Sequence, residues 1–302
     1  MPRKQEDVRM PLCKRACGFF LLMALFFLPF LSARAEVAPL PFDDSPGFAP
    51  WPGGYLSDLA YQDPSIQVTI ETGREFNTNY WLARISIKHP SQLRTTSADG
   101  FDGTRVVAGK TLARRMQAVF AINGDYFSYR NDGYLIRQGV QYRDLARGAR
   151  DVLLIDAMGD FHIVLSATPE DIAPFRELSI INSFNFGPAL VVGQEKMTGF
   201  LDNDDAALLG RQRMGLAQVK KGELSYIALA CTGPKWGNSG WTLEQFAEMM
   251  HRLGVENAYN LDGGNSTMMM FRGDYVNRIN EETMRQISDI IYFASAWPGE
   301  GE

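Results

Sequence analysis

Short apolar runs that stop at glycine govern what this chain can become. "YWLARISIKH" alternates, placing Trp81, Ala83, Ile85 and Ile87 on one face, as a half-buried strand does. "AVFAI" (Ala118 to Ile122) ends abruptly at Asn123-Gly124, the mark of a buried strand and a tight turn. "YLIRQGVQY" and "DVLLIDAMGDFHIVL" read as hairpins, the second turning at Met158-Gly159-Asp160. "VENAYNL" is a strand that ends at Asp262, and "STMMMF" and "ISDIIYFAS" are further strands. Arg272-Gly273-Asp274 is read as a hairpin turn rather than an adhesion signal. The clearest helix is Leu243 to Leu253: Thr242 caps it, Gln245 completes a capping box, and Gly254 ends it. Leu243, Phe246, Ala247, Met250 and Leu253 share one face of that helix. Thr104 to Met116 is a second candidate helix. These elements predict a single α+β domain over residues 67–297, with a central mixed β-sheet flanked by helices and ligand loops at strand ends. Residues 36–66, rich in Pro, Gly and aromatics, read as a linker or N-terminal arm.

Ahead of the arm, Arg3, Lys4, Arg9, Lys14 and Arg15 precede the apolar run Gly18 to Leu31, and Ala33 and Ala35 follow. That order predicts a secretory signal peptide over residues 1–35. The run is shorter than the ~20 residues a spanning helix needs, so no stable membrane span is expected after cleavage. An uncleaved anchor is the alternative. The expected location is extracytoplasmic: periplasm, cell surface or medium. Beyond the leader stands one cysteine, Cys231, so no internal disulfide forms. About 265 residues bury a core without one. A net charge of −5 and the absence of a long basic run argue against nucleic acid as a partner.

"AVFAINGDYF" and "NAYNLDGGNST" share a plan: an apolar strand, a polar residue, then glycine. Asn123 and Asp262 then sit at the carboxyl ends of their strands, where open sheets bind ligands. Gly124, Gly263 and Gly264 let backbone N–H groups approach a ligand, and successive N–H groups form an anion nest. Both loops also read as plain turns, but Asn265, Ser266 and Thr267 add polar groups that a turn does not need. Asn265-Ser266-Thr267 is formally a glycosylation sequon, discounted because it falls inside the fold. His89, His162 and His251 form no zinc-like pair, and His251 reads as a surface residue. "AGKT" at 108–111 lacks the first glycine of a phosphate-binding loop, and "LDNDDA" at 201–206 lacks the spacing of a calcium loop.

"NLDGGNST", preceded by "GWTLEQFAEMMHRLGVENAY", resembles the signature of the phosphodiester glycosidase domain. This is the domain of the lysosomal uncovering enzyme and of many secreted bacterial proteins. "AINGDYF" is similar to the family's earlier asparagine-glycine-aromatic motif, and "RQRMGLAQVKKGEL" to its arginine-containing strand. The resemblance runs from about Trp81 to Phe293. Three positions depart from it: Asn265 replaces a usual third glycine, Thr267 a common second serine, and Asp125 a glycine or serine.

The resemblance implies hydrolysis of a sugar-1-phosphodiester through an oxocarbenium-like transition state. It implies a phosphorylated glycan or sugar-phosphodiester partner. No cofactor is required, with a bound divalent cation left open. Asp262 is the candidate carboxylate, and Asp125 a second one. Gly263 and Gly264 would offer backbone donors to phosphate, and Ser266 and Thr267 hydroxyls to phosphate or sugar. Arg213 is the candidate phosphate clamp, with Arg211 as backup, because guanidinium pairs bidentately with phosphate. Asn123 would bind a sugar hydroxyl, Trp236 or Trp241 would present an aromatic face to the sugar, and Lys235 would attract the anion. Packing is the equal alternative for both tryptophans. For Asp262 the alternative is a buried aspartate that only holds its own turn. The competing functions are a non-catalytic glycan-binding or exopolysaccharide assembly factor of the cell surface, and a metal-dependent phosphodiesterase.

Overall fold

Tight turns return a chain antiparallel, and that rule decides the architecture. The computed structural model describes residues 37–200, 205–277 and 282–299. The leader read at residues 1–35 and most of the acidic stretch at 201–206 lie outside the described residues. Among the described residues about two-fifths are strand, 40% against 16% helix. The largest sheet runs Tyr55–Ser57, Ala60–Gln62, Ile66–Glu75, Thr78–Ile87, Ser225–Cys231, Arg213–Gln218, Asn257–Leu261, Ala189–Val192, Glu195–Lys196, and every neighbouring pair is antiparallel. A five-stranded sheet runs Asp274–Tyr275, Met269–Phe271, Phe120–Asn123, Asp289–Phe293, Leu93–Ser97, again antiparallel throughout. A three-stranded sheet joins Phe161–Val164, Val152–Asp156 and Ile180–Phe184, beside the hairpin Gly133–Arg137/Val140–Leu145.

The expected central mixed sheet flanked by helices is therefore corrected to a mostly β fold of stacked antiparallel sheets. The helix that suggested otherwise, Leu243–Arg252, does connect two strands of like direction, Ser225–Cys231 and Asn257–Leu261. Arg213–Gln218 fills the slot between them and runs against both, so no parallel pair forms.

One face of the large sheet (Val68, Ile85, Leu216, Ala228, Leu261) packs on the five-stranded sheet (Phe120, Ile122, Met269, Ile291, Phe293) in a shared core. The other face of the large sheet takes the Leu243–Arg252 helix through Phe246, Ala247 and Met250. Thr242 caps this helix by accepting from Gln245 N at 3.2 Å, and Gln245 returns the bond to Thr242 N. Gly215 makes the close approach possible, since a Cβ there would sit 2.8 Å from Met250 and 2.9 Å from Phe246. The second helix, Gly109–Arg115, is shorter than the expected span and covers the outer face of the five-stranded sheet through Leu112 and Ala113. Residues 35–302 form one compact unit.

Candidate active site

The two glycine-stopped strands end in different sheets. Phe120–Asn123 belongs to the five-stranded sheet and Asn257–Leu261 to the large one. Their ends meet at the seam between the sheets. Asn123 fastens them: its Nδ2 donates to the backbone carbonyl of Asp262 at 2.8 Å, and its Oδ1 accepts from Met268 N at 3.1 Å. Asn123 thus holds the Asp262 loop from both ends.

Asp262 is buried, and that burial pushes its carboxyl above the ordinary aspartate range. A hydrogen bond from Ser266, the Arg285 and Arg130 guanidinium groups and the Gly263 N–H oppose the shift without cancelling it. Arg285 lies 3.4 Å from the Asp262 carboxylate and 3.1 Å from Ser266 Oγ. The loop's backbone donors are largely turned inward: Gly264 N donates to Gln212 O, Ser266 N to Gly263 O, and Thr267 N to Gly264 O.

Beside this loop opens a groove of about 180 Å³, lined by Arg211, Gln212, Lys235, Trp236, Asn265 and Thr267 among others. Asp262 itself lines a separate small crevice, with Asn123, Gly124, Tyr126, Tyr129, Arg285 and Asp289. Tyr126 and Tyr129 stack at 4.3 Å. Tyr126 holds this place in a left-handed backbone conformation (φ 70°), a strained choice for a non-glycine residue.

Asp125 faces away from the groove into a buried ion cluster. Its Oδ1 takes Arg137 Nη2 at 2.8 Å, and its Oδ2 takes Asn185 N at 2.8 Å. The same Arg137 nitrogen reaches Asp289 Oδ2 at 3.3 Å. One guanidinium thus serves two carboxylates. Burial and the nearby Asp125 charge push the Asp289 carboxyl up to about 7, against the pull of Arg137. Gly124 packs directly on this carboxyl, and a Cβ there would fall 2.2 Å from Asp289 Oδ2.

Arg213 is buried on the helix side of the large sheet, where Nε donates to Trp241 O at 3.0 Å and Nη2 to Leu209 O at 3.2 Å. It is not among the groove's lining residues, whereas Arg211 is. Trp236 is 45% exposed at the groove; Trp241 is fully buried against Tyr80, Phe76 and Phe246. The structure therefore gathers Asn123, Gly124, Asp262, Gly263, Gly264, Asn265, Ser266, Thr267, Arg211 and Trp236 around one seam, with Asp125 behind it and Arg213 outside it. Sequence reasoning missed Arg285, Asp289, Arg137 and Tyr126. Only Asp289 carried a signal, as a lone acid opening the apolar run "DIIYF". Among the described residues, no group of three or more His, Cys, Asp or Glu side chains could hold a metal ion.

A family model described as phosphodiester glycosidase matches residues 116–294, more than half of the chain. The chain belongs to the phosphodiester glycosidase family. Among solved structures, this phosphodiester glycosidase family member is similar to a hypothetical protein from Synechocystis, with a TM-score of 0.61 and 16% identity, over 78% of this chain and 64% of that one. It is also similar to the zebrafish N-acetylglucosamine-1-phosphodiester alpha-N-acetylglucosaminidase catalytic domain, auto-inhibited by its pro-peptide, with a TM-score of 0.59 and 17% identity, over 82% of this chain and 86% of that one. At such identities the likeness is one of fold. A curated relative, the SPbeta prophage-derived uncharacterized protein YomE of Bacillus subtilis (strain 168), is 26% identical over 188 residues. That match covers 60% of this chain and 28% of the relative, so the chain spans little more than a quarter of that protein's length.

Proposed function

We propose that this family member is an extracytoplasmic hydrolase of sugar-1-phosphodiesters in a glycan or glycoconjugate, releasing free sugar and a phosphomonoester. The observation that carries the reading is Asp262: a buried carboxylate, pushed upward in pKa, that lines a crevice with Asn123 and Arg285 and opens a loop whose Gly264, Asn265 and Thr267 line the neighbouring groove with Arg211 and Lys235. In the proposed reaction, water adds to the anomeric carbon while the bond from that carbon to the phosphate oxygen breaks. Asp262 accepts the proton from water or stabilises the cationic sugar. The phosphomonoester leaves as an anion, so little help is needed from a general acid. Arg211, Lys235 and the Thr267 hydroxyl face the phosphate side, and Trp236 offers an aromatic face there. The basic, apolar and small-residue order of the leader supports export.

The test is turnover of a panel of sugar-1-phosphodiesters, with Asp262→Asn beside wild type. Free reducing sugar from wild type, lowered about 10²–10⁴-fold in a folded variant, is the expected result. Released sugar phosphate would assign the other phosphate bond to the enzyme. Glycan binding without turnover would assign a binding role.

A further inference from the structure

Arg285 lines the small crevice together with Asp262, directly after two residues that line the groove. Its Nη1 lies 3.4 Å from Asp262 Oδ2 and 3.1 Å from Ser266 Oγ, and its guanidinium lies 5.5 Å from the Tyr126 ring centre. The arginine side chain is 44% exposed and its carboxylate partner 10%. Its backbone N–H donates to Asn265 O at 3.0 Å, tying its segment to the Asp262 loop. Thr283 and Met284, just before it, line the groove with Arg211, Gln212 and Lys235. Arg211 and Lys235 line the groove, while several other sources of anion recognition in the loop are committed elsewhere. The Ser266 and Thr267 N–H groups close their own loop, the Gly264 N–H donates to Gln212 O, and Arg213 spans two backbone carbonyls. The Thr267 hydroxyl at the groove is buried, with no hydrogen-bond partner among the described residues.

The geometry points to Arg285 as the phosphate-binding residue, whose guanidinium passes from the Asp262 carboxylate to the phosphate of the incoming substrate. A charge-assisted N–H···O bond closes to about 2.7–2.9 Å, so the 3.4 Å pair is loose. A half-exposed guanidinium exchanges partners at small cost, and a phosphate offers it two oxygens at once. The transfer also changes Asp262. Once Arg285 turns to phosphate, the carboxylate loses the nearest charge that opposes its burial and holds a proton more tightly. Substrate binding then strengthens the base that the reaction uses. The choice of phosphate as ligand rests on the phosphodiester reading, but the test does not need turnover.

The experiment is a calorimetric titration of inorganic phosphate into the full chain, as wild type, Arg285→Gln, Asp262→Asn and the double variant. Arg285→Gln should weaken phosphate about tenfold or more, the scale of one lost hydrogen bond between charged groups. Asp262→Asn should tighten it, because the guanidinium is released and a like charge is gone. The part of that gain due to the released guanidinium should be lost in the double variant, so Asp262→Asn should tighten phosphate less in the Arg285→Gln background than in wild type, and a misfolded protein cannot produce that difference. Unchanged phosphate affinity in Arg285→Gln, no gain in Asp262→Asn, or no phosphate binding by wild type would each overturn the assignment. The expected pattern without turnover of any sugar-1-phosphodiester would leave Arg285 a phosphate ligand and remove the catalytic reading.

Discussion

A carboxylate taken out of water holds its proton more tightly, and Asp262 has lost most of its water. As a base it works only when ionised, so turnover should fall as pH drops through a midpoint above the 3.8 of an ordinary aspartate. The profile of kcat/KM reports the free enzyme and that of kcat the bound one. If Arg285 leaves Asp262 for phosphate, the acid limb of kcat lies at higher pH than that of kcat/KM. The buried Asp125–Arg137–Asp289 cluster gives a second residue-scale prediction. Arg137→Met leaves two carboxylates without their cation, and loss of one partner of a buried pair costs about 3–5 kcal/mol. Urea denaturation at neutral pH should show that loss, and it should shrink toward pH 4 as Asp289 takes up its proton. The sign for Asp289 follows from its folded pKa of about 7, above the 3.8 of the unfolded chain. Its share of stability is fully present below the unfolded value and is lost as pH rises toward and through 7. Asp289→Asn, which imitates the protonated acid, should flatten that decline. Asp125 stood out in sequence as an acid, but its partnership with Arg137 and Asp289 is not visible there, because "YLIRQG" reads as a hairpin rim and "ISDII" as a strand start.

Elements show how local rules and packing divide the work. The Leu243–Arg252 helix was legible down to its cap, since both the Thr242/Gln245 box and the apolar stripe are written within one dozen residues. Thr242→Ala should cost about 0.5–2 kcal/mol, read as a lower thermal midpoint with an unchanged fold. What the helix packs against was not legible. Gly215 looks like an ordinary strand glycine until Met250 and Phe246 are found on top of it. Gly215→Val should cost about 1–3 kcal/mol through overpacking, and Gly215→Ala less, both measured by chemical denaturation. The glycine-stopped strands were likewise placed correctly along the chain, with Phe120–Asn123 ending before Gly124 and Asn257–Leu261 before Asp262. Their assignment to two different sheets came only with the fold.

At the scale of the whole molecule, the decisive pairings join distant parts of the chain. Asp289–Phe293 lies between Phe120–Asn123 and Leu93–Ser97, with Phe293 opposite both Phe120 and Leu93. Every residue of that last strand is buried. A chain ending at Ser288 should therefore fail to close the second sheet, and near-UV circular dichroism should show no fixed tertiary packing. The sequence by itself determined the strands, their glycine turns, the capped helix, the polar loops at Asn123 and Asp262 and the family resemblance, because each is a pattern of neighbours along the chain. Only the tertiary structure decided that the sheets are antiparallel and stacked, that Arg213 turns to backbone carbonyls, and that Arg285 meets Asp262. Those outcomes depend on which surfaces exclude water together, and residues far apart in sequence settle that by packing.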